Sequence, residues 1–290
     1  MGIASEFAPA KINLFLAITG RRPDRFHDLV SVVATLDWGD RLRGSPAPQD
    51  SLECRDETVP TGPDNLILRA SAAYRAAGGV GAAHFVLKKE IPMGAGLGGG
   101  SSDAVAALVA LDRLSAKPLG PEALRAIAET LGSDCPLFLA SGPVVMRGRG
   151  ERVDLLPPGA AGRLRGRKIL VFKPGFGIST PWAYGQLAAR GDYIPAVEAE
   201  ARLAAWINDP VAPAEALLFN SMERAAFPKY VALDTLLSRL RGEFGLAPRM
   251  SGSGSACFAL LDETQPVEPV RQAILESWGP TAFVIETRIF

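Results

Sequence analysis

Histidine and cysteine are scarce in this chain. His27 and His84 are its two histidines, and Cys54, Cys135 and Cys257 are scattered with no CxxC spacing. That excludes a zinc site built on Cys and His pairs and a disulfide framework, and it suits a reducing compartment. Neither sign of charge is in excess: 31 basic residues face 31 acidic ones, for a formal net charge of zero. Such a balance offers no electrostatic footing to nucleic acid or to an anionic membrane. Aromatic residues make up 7% of the chain, too little for a base-stacking platform. No apolar run approaches the roughly 18 residues of a membrane span, and Lys11 interrupts the early hydrophobic stretch. Neither a signal peptide nor a span is therefore expected, and the cytoplasm is the default location.

What is present is enough chain, 290 residues, for two domains, with a mixture of strand and helix signals. Residues 11–18 (KINLFLAI) read as a strand ending at Thr19-Gly20, with Lys11 and Asn13 on one face and Ile12 and Leu14 on the other. Residues 29–36 and 84–88 are further strand candidates. Residues 66–77 read as a helix begun near Asp64 and stopped by Gly78-Gly79, and residues 121–131 as one begun by proline and ended by Gly132. Residues 103–114 carry Ala104, Leu108, Leu111 and Leu114 on a helical stripe. Residues 144–156 suggest a hairpin across Gly148 and Gly150, and Pro157, Pro158, Gly159 and Gly162 mark the best domain boundary. A strand at 168–173, helices near 197–207 and 231–241, and strands at 257–261 and 283–290 follow. The order lacks a steady βαβ alternation, which argues α+β.

One segment dominates. From Gly94 to Gly100, five of seven residues are glycine, interrupted by Ala95 and Leu97, and Ser101, Ser102 and a helical pattern follow. Bare backbone amides ahead of a helix N-terminus form an anion site, aided by the helix dipole. Gly94, Gly96 and Gly99 satisfy GxGxxG, yet Pro92 sits where the preceding strand should enter the turn, and Asp112 falls inside the helix rather than after a second strand. A Walker loop is excluded by the lack of any Gly-Lys pair, and protein-kinase signatures are absent. A nucleotide or a phosphorylated substrate is the expectation, with a purely structural glycine loop as the bland alternative.

Residues 92–104 (PMGAGLGGGSSDA) resemble the phosphate-binding motif of the small-molecule kinases named for galactose, homoserine, mevalonate and phosphomevalonate, the GHMP kinases. Residues 8–14 (APAKINL) resemble that family's N-terminal motif, and residues 251–257 (SGSGSAC) its C-terminal glycine loop. Three motifs in the right order are far more specific than one. Residues 9–29, the triple glycine of GLGGGSSDA, Leu131 to Pro136 (LGSDCP), Asp40 in LDWGDR and residues 63–66 (PDNL) are similar to one branch of that family. Its members phosphorylate a cytidine diphosphate-linked methylerythritol. The likeness thins between residues 185 and 215, and Arg25 stands where relatives often carry glycine.

The resemblance implies an α+β fold of two domains, residues 1–158 (ribosomal protein S5 domain 2-like, ATP-binding) and 159–290 (ferredoxin-like). It implies ATP and Mg²⁺, with Pro92, Met93, Gly94, Ala95, Gly96, Leu97, Gly98, Gly99, Gly100, Ser101 and Ser102 about the ATP phosphates. Asp134 is expected to take the proton of the acceptor's 2-hydroxyl, and Lys11 to lie between acceptor and γ-phosphate. Phe26 and Tyr184 are expected about the cytosine ring, His27 at the base edge, and Asn13, Lys89 and Thr180 at the other polar groups of the acceptor.

The residues themselves leave alternatives open. Ser133 or Asp134 suits a helix cap before Pro136, Lys11 a solvated edge charge, Phe26 and Tyr184 core packing, and His27 a satisfied lone histidine. Cys135 reads as a buried structural thiol, since no histidine base is placed beside it. A homoserine or mevalonate type of kinase, and a relative that binds ligand without catalysis, are the competing functional readings.

Overall fold

The computed structural model describes residues 2–290. The chain divides into two compact units assembled from separated segments. The first takes the residues up to Ala10, Trp38–Met93 and Gly98–Ala140; the second takes Lys11–Asp37, Gly94–Leu97 and Ser141–Phe290. Strands β1 (Ala4–Arg21) and β2 (His27–Ala47) contribute residues to both. The expected strand 11–18 is thus the middle of a much longer one, and 29–36 lies in the first half of another.

In the first unit the strand order is β3-β4-β2-β1, with β3 (Ser51–Cys54) parallel and β2 antiparallel to β4 (Ala82–Lys88). Helices α1 (Leu66–Ala76), α2 (Gly99–Leu114) and α3 (Pro121–Leu131) complete it. Asn65 caps α1, its side-chain oxygen accepting from the Ile67 amide at 2.9 Å. The stop forecast at Gly78-Gly79 is a Schellman turn: Gly78, at φ 95°, donates to Arg75 and Gly79 to Tyr74. Apolar faces of the three helices meet Leu42, Phe85 and Leu87 in one core with Ile67, Tyr74, Leu108 and Ile127. α2 begins four residues before the expected 103, because Gly98 takes the left-handed conformation at its N-cap and lets the glycines enter the first turn.

In the second unit, β5 (Val144–Gly148) and β6 (Arg152–Leu155) form the expected hairpin, extended as β6-β5-β2-β1-β8. The Pro157–Gly162 stretch coils into the short α4 (Pro158–Gly162). A second sheet, ordered β11-β7-β10-β9, is antiparallel throughout and holds β7 (Lys168–Lys173) at its centre. The remaining elements follow in chain order: α5 (Thr180–Arg190), α6 (Ala196–Asn208), β8 (Phe219–Asn220), α7 (Glu223–Ala226), α8 (Val231–Phe244), β9 (Arg249–Met250), β10 (Cys257–Leu261), α9 (Val267–Trp278) and β11 (Phe283–Arg288). Leu233, Leu236, Leu237 and Leu240 of α8 pack with Phe172, Ala259 and Ile274 in this unit's core. Helices α5 and α9 had no expectation. Pro181 and Gly185 weaken the local preference for helix, while in the fold Ser179 caps α5 and Pro181 lies in its first turn.

Candidate active site

In the first unit, the N-terminus of α2 carries the anion-binding geometry. Gly98 is its N-cap at φ 73°, and the first bond of the helix runs from the Ser102 amide to the Gly98 carbonyl at 2.9 Å. The amides ahead of it have no carbonyl a turn earlier within the helix, which is what an anion exploits. Ser102 Oγ and Asp103 Oδ1 in this turn are buried without a hydrogen-bond partner.

Behind the turn is a buried ionic triad. Lys89 Nζ donates to Asp40 Oδ2 at 2.6 Å and to Asp103 Oδ2 at 2.7 Å, and the three side chains are no more than 6% exposed. Asp40 Oδ1 also accepts the amides of Glu90 at 2.5 Å and Ile91 at 2.8 Å. Burial pushes the Asp103 carboxyl up to about 7, Lys89 working against it and Asp40 with it. Burial also opposes the charge on Lys89, but Asp103 and Asp40 outweigh it and hold the ammonium above its usual range.

Asp134 is partly buried in the turn closed by the Cys135 amide and the Gly132 carbonyl. A short 3₁₀ turn, Pro136–Leu139, follows, and its N-cap position falls on Cys135 rather than on Ser133 or Asp134. Burial pushes the Cys135 thiol up to about 11, a hydrogen bond with Ser101 acting the other way, so it remains a thiol at neutral pH.

In the second unit, Lys11 and Asn13 are 4% and 7% exposed. Lys11 Nζ donates to Asn13 Oδ1 at 2.6 Å, Asn13 Nδ2 to Ser31 Oγ at 3.0 Å, and Ser31 Oγ to the Phe15 carbonyl at 2.6 Å. The two glycine-rich motifs, far apart in sequence, meet here. Ser251 Oγ donates to the Gly96 carbonyl at 3.0 Å, the Ala256 amide to Ala95 at 3.0 Å, and the Lys11 amide to Leu97 at 2.9 Å. Ala95 and Leu97, the two interruptions of the glycine run, are buried and anchor it. Gly96 is at φ 78°, and a Cβ there would lie 2.3 Å from the Ser251 carbonyl oxygen.

Of the acceptor candidates, His27 packs against Tyr184. Its ring lies 4.9 Å from that of Tyr184 and 5.9 Å from that of Tyr193, and burial, with Arg21 adding, lowers its pKa toward a neutral imidazole. Phe26 is 49% exposed, with the Arg149 guanidinium over one face of its ring at 5.2 Å from the centre. Thr180 Oγ1 is 2.8 Å from Ser253 Oγ, tying the start of α5 to the C-terminal glycine loop. Arg25 stands at φ 69°, a left-handed position that glycine adopts at less cost.

Sequence reading did not single out Asn220, whose Nδ2 donates to the carbonyls of Met250 at 2.7 Å and Gly252 at 2.8 Å and clamps that loop. Its signal was Asn-Ser directly after the apolar run Leu217-Leu218-Phe219. Tyr193 and Arg149 were also passed over. Among the described residues, no cluster of three or more His, Cys, Asp or Glu is placed to hold a metal ion.

The family profile described as GHMP kinases N terminal domain matches residues 65–142, and the one described as GHMP kinases C terminal matches residues 199–281. The 4-diphosphocytidyl-2-C-methyl-D-erythritol kinase of Synechococcus elongatus is 39% identical over 290 residues, covering 93% of this chain and 91% of the relative. The protein of that name from Pelotomaculum thermopropionicum is 36% identical over 292 residues, covering 99% and 98%. A crystal structure of 4-(cytidine 5'-diphospho)-2C-methyl-D-erythritol kinase superposes with a TM-score of 0.76 at 36% identity, covering 98% of this chain and 99% of that one.

Proposed function

Because the chain belongs to the 4-diphosphocytidyl-2-C-methyl-D-erythritol kinases, within the GHMP kinases, we propose that it transfers the γ-phosphoryl group of ATP to the 2-hydroxyl of that cytidylyl acceptor, a step of isoprenoid precursor synthesis. The observation that carries the phosphoryl-transfer half is the backbone of the glycine run. Left-handed glycines at 94, 96 and 98, pinned by buried Ala95 and Leu97, lead straight into α2. Phosphoryl transfer needs mainly positioning and charge stabilisation, and this backbone offers both to a triphosphate.

In this reading Asp134 accepts the proton of the attacking hydroxyl. The oxygen forms a bond to the γ-phosphorus, the bond to the β,γ-bridging oxygen breaks, and ADP departs with that electron pair. The proton on Asp134 passes to solvent. Lys11, its ammonium held by Asn13, offsets negative charge on the transferring group. Ser101 and Ser102 would lie near the ATP phosphates or Mg²⁺, which would supply charge neutralisation there. The unpartnered hydroxyl of Ser102 in the first turn of α2 supports a polar ligand at that end of the helix.

The cytosine is received by Phe26, His27 and Tyr184, with Asn13 and Thr180 at other polar groups of the acceptor. The mutual packing of His27 and Tyr184 and the exposure of Phe26 support this reading. The family matches fall on either side of residue 158, in keeping with domains of 1–158 and 159–290. Cytoplasmic location is part of the proposal; among the described residues no helix is long and apolar enough to cross a membrane.

The test is turnover by the purified protein with ATP, Mg²⁺ and the cytidylyl acceptor, beside homoserine and phosphomevalonate. Phosphorylation of the cytidylyl acceptor alone is expected. Turnover of a control alone would discard the cytosine reading, and ATP binding without turnover of any would favour a ligand-binding relative.

A further inference from the structure

The Asp40, Lys89 and Asp103 triad ties together three segments distant in sequence. Asp40 lies late in β2, Lys89 directly follows β4, and Asp103 is the fifth residue of α2. Each carboxylate has a task on the backbone or at the helix. Asp40 Oδ1 holds the amides of Glu90 and Ile91, fixing the chain immediately before Pro92 and the glycine run. Asp103 brings the first turns of α2 to the same ammonium. Lys89 Nζ also packs against the helix start itself: a Cβ on Gly99 would stand 2.9 Å from it, and 3.1 Å from Ile91 Cγ2. The first helical residue is therefore seated on the ion pair.

This geometry bears on what Lys89 does. Two of its three donors go to carboxylates, and the triad carries two acidic groups against one basic group. An ammonium neutralised in this way adds little attraction for a substrate anion. A buried charge held from two sides is instead a rigid spacer, costly to disturb because removing one member leaves the others unpaired.

We propose that Asp40, Lys89 and Asp103 are positioning residues for the nucleotide: they hold the first turn of α2 in the geometry that receives the ATP phosphates, and Lys89 does not contact the acceptor. This rests on the reading of that turn as the ATP site.

The experiment separates the two ligands. Lys89→Met is titrated calorimetrically with the non-hydrolysable imido analogue of ATP plus Mg²⁺ and, separately, with the cytidylyl acceptor. Affinity for the analogue is expected to fall about tenfold, the scale of a lost charge-assisted contact, with acceptor affinity held within about twofold. Unchanged analogue affinity in the folded variant, a loss confined to the acceptor, or an equal loss for both would each overturn the inference. If Lys89→Met does not fold, Asp103→Asn carries the test, since it keeps its size and an oxygen for Lys89. An analogue-specific loss of about threefold is expected there, and no loss overturns the inference. Wild-type protein that bound no analogue would instead remove the ATP-site reading, and this inference with it.

Discussion

Lys11 and Asn13 lie two residues apart on one face of β1, and the ammonium of the first donates to the side-chain oxygen of the second at 2.6 Å. The amide that receives it cannot turn over freely, because its nitrogen donates to Ser31, whose hydroxyl is committed to the Phe15 carbonyl. The direction of a buried positive charge is thus set by a chain of neutral groups running into the strand backbone.

Replacing Lys11 by alanine or Asp134 by asparagine is expected to lower kcat by about 10²–10⁴-fold, the usual weight of a positioned acid–base or electrostatic group. Binding of the imido analogue of ATP should stay within a few-fold of wild type. Steady-state kinetics beside calorimetry checks this, and near-normal turnover by either variant would remove that residue from the mechanism.

Ser31→Ala removes the anchor of Asn13 without touching a ligand. It is expected to cost about one hydrogen bond, roughly a fivefold fall in kcat, with KM for ATP unchanged. A rise in KM for ATP at constant kcat would contradict the proposed chain from Ser31 to Lys11.

Gly96→Ala places a Cβ 2.3 Å from the Ser251 carbonyl oxygen at a φ of 78°. Since neither backbone yields cheaply, the expected loss of stability is on the order of 1–3 kcal/mol, together with weaker analogue binding. Thermal denaturation and titration of the same preparation read both effects, and an unaltered Tm would count against the contact.

The Asp103 carboxyl has a folded pKa raised from an ordinary 3.8 to about 7, so between those values the native state holds a proton that the unfolded chain has released. The stabilisation it gives is complete below the unfolded value and is lost as pH rises through about 7. Asp103→Asn is therefore expected to flatten the fall of Tm with rising pH between about pH 4 and 7. Parallel Tm profiles for the variant and the wild type would show that Asp103 stays ionised throughout.

Arg25→Gly relieves a left-handed residue at φ 69°. The left-handed penalty of about 1–2 kcal/mol outweighs the roughly 0.4–1 kcal/mol by which glycine loosens the unfolded chain. A Tm rise of about 2 °C is expected, measured calorimetrically. A fall in Tm would mean that the Arg25 side chain contributes more than its backbone costs.

What the sequence determined by itself is local and periodic. The stop at Gly78-Gly79, the limits of α3, β7 and β10, and the shared face of Lys11 and Asn13 follow from turn chemistry and side-chain period, which act over a few residues. The glycine run was legible as an anion site for the same reason: positive φ and bare amides need no partner from elsewhere. Tertiary structure decided what depends on long-range neighbours. Helix α5 forms through Pro181 and Gly185 because packing of Ala183 and Leu187 overrides weak local preference. Asn220 matters through carbonyls some 30 residues away. The resemblance implied for Lys89 a contact to the acceptor's polar groups, and only folding sets Asp40 and Asp103 on either side of it. Which buried charge finds which partner is settled by the cost of leaving one unpaired, and that cost exists only once the chain has closed around it.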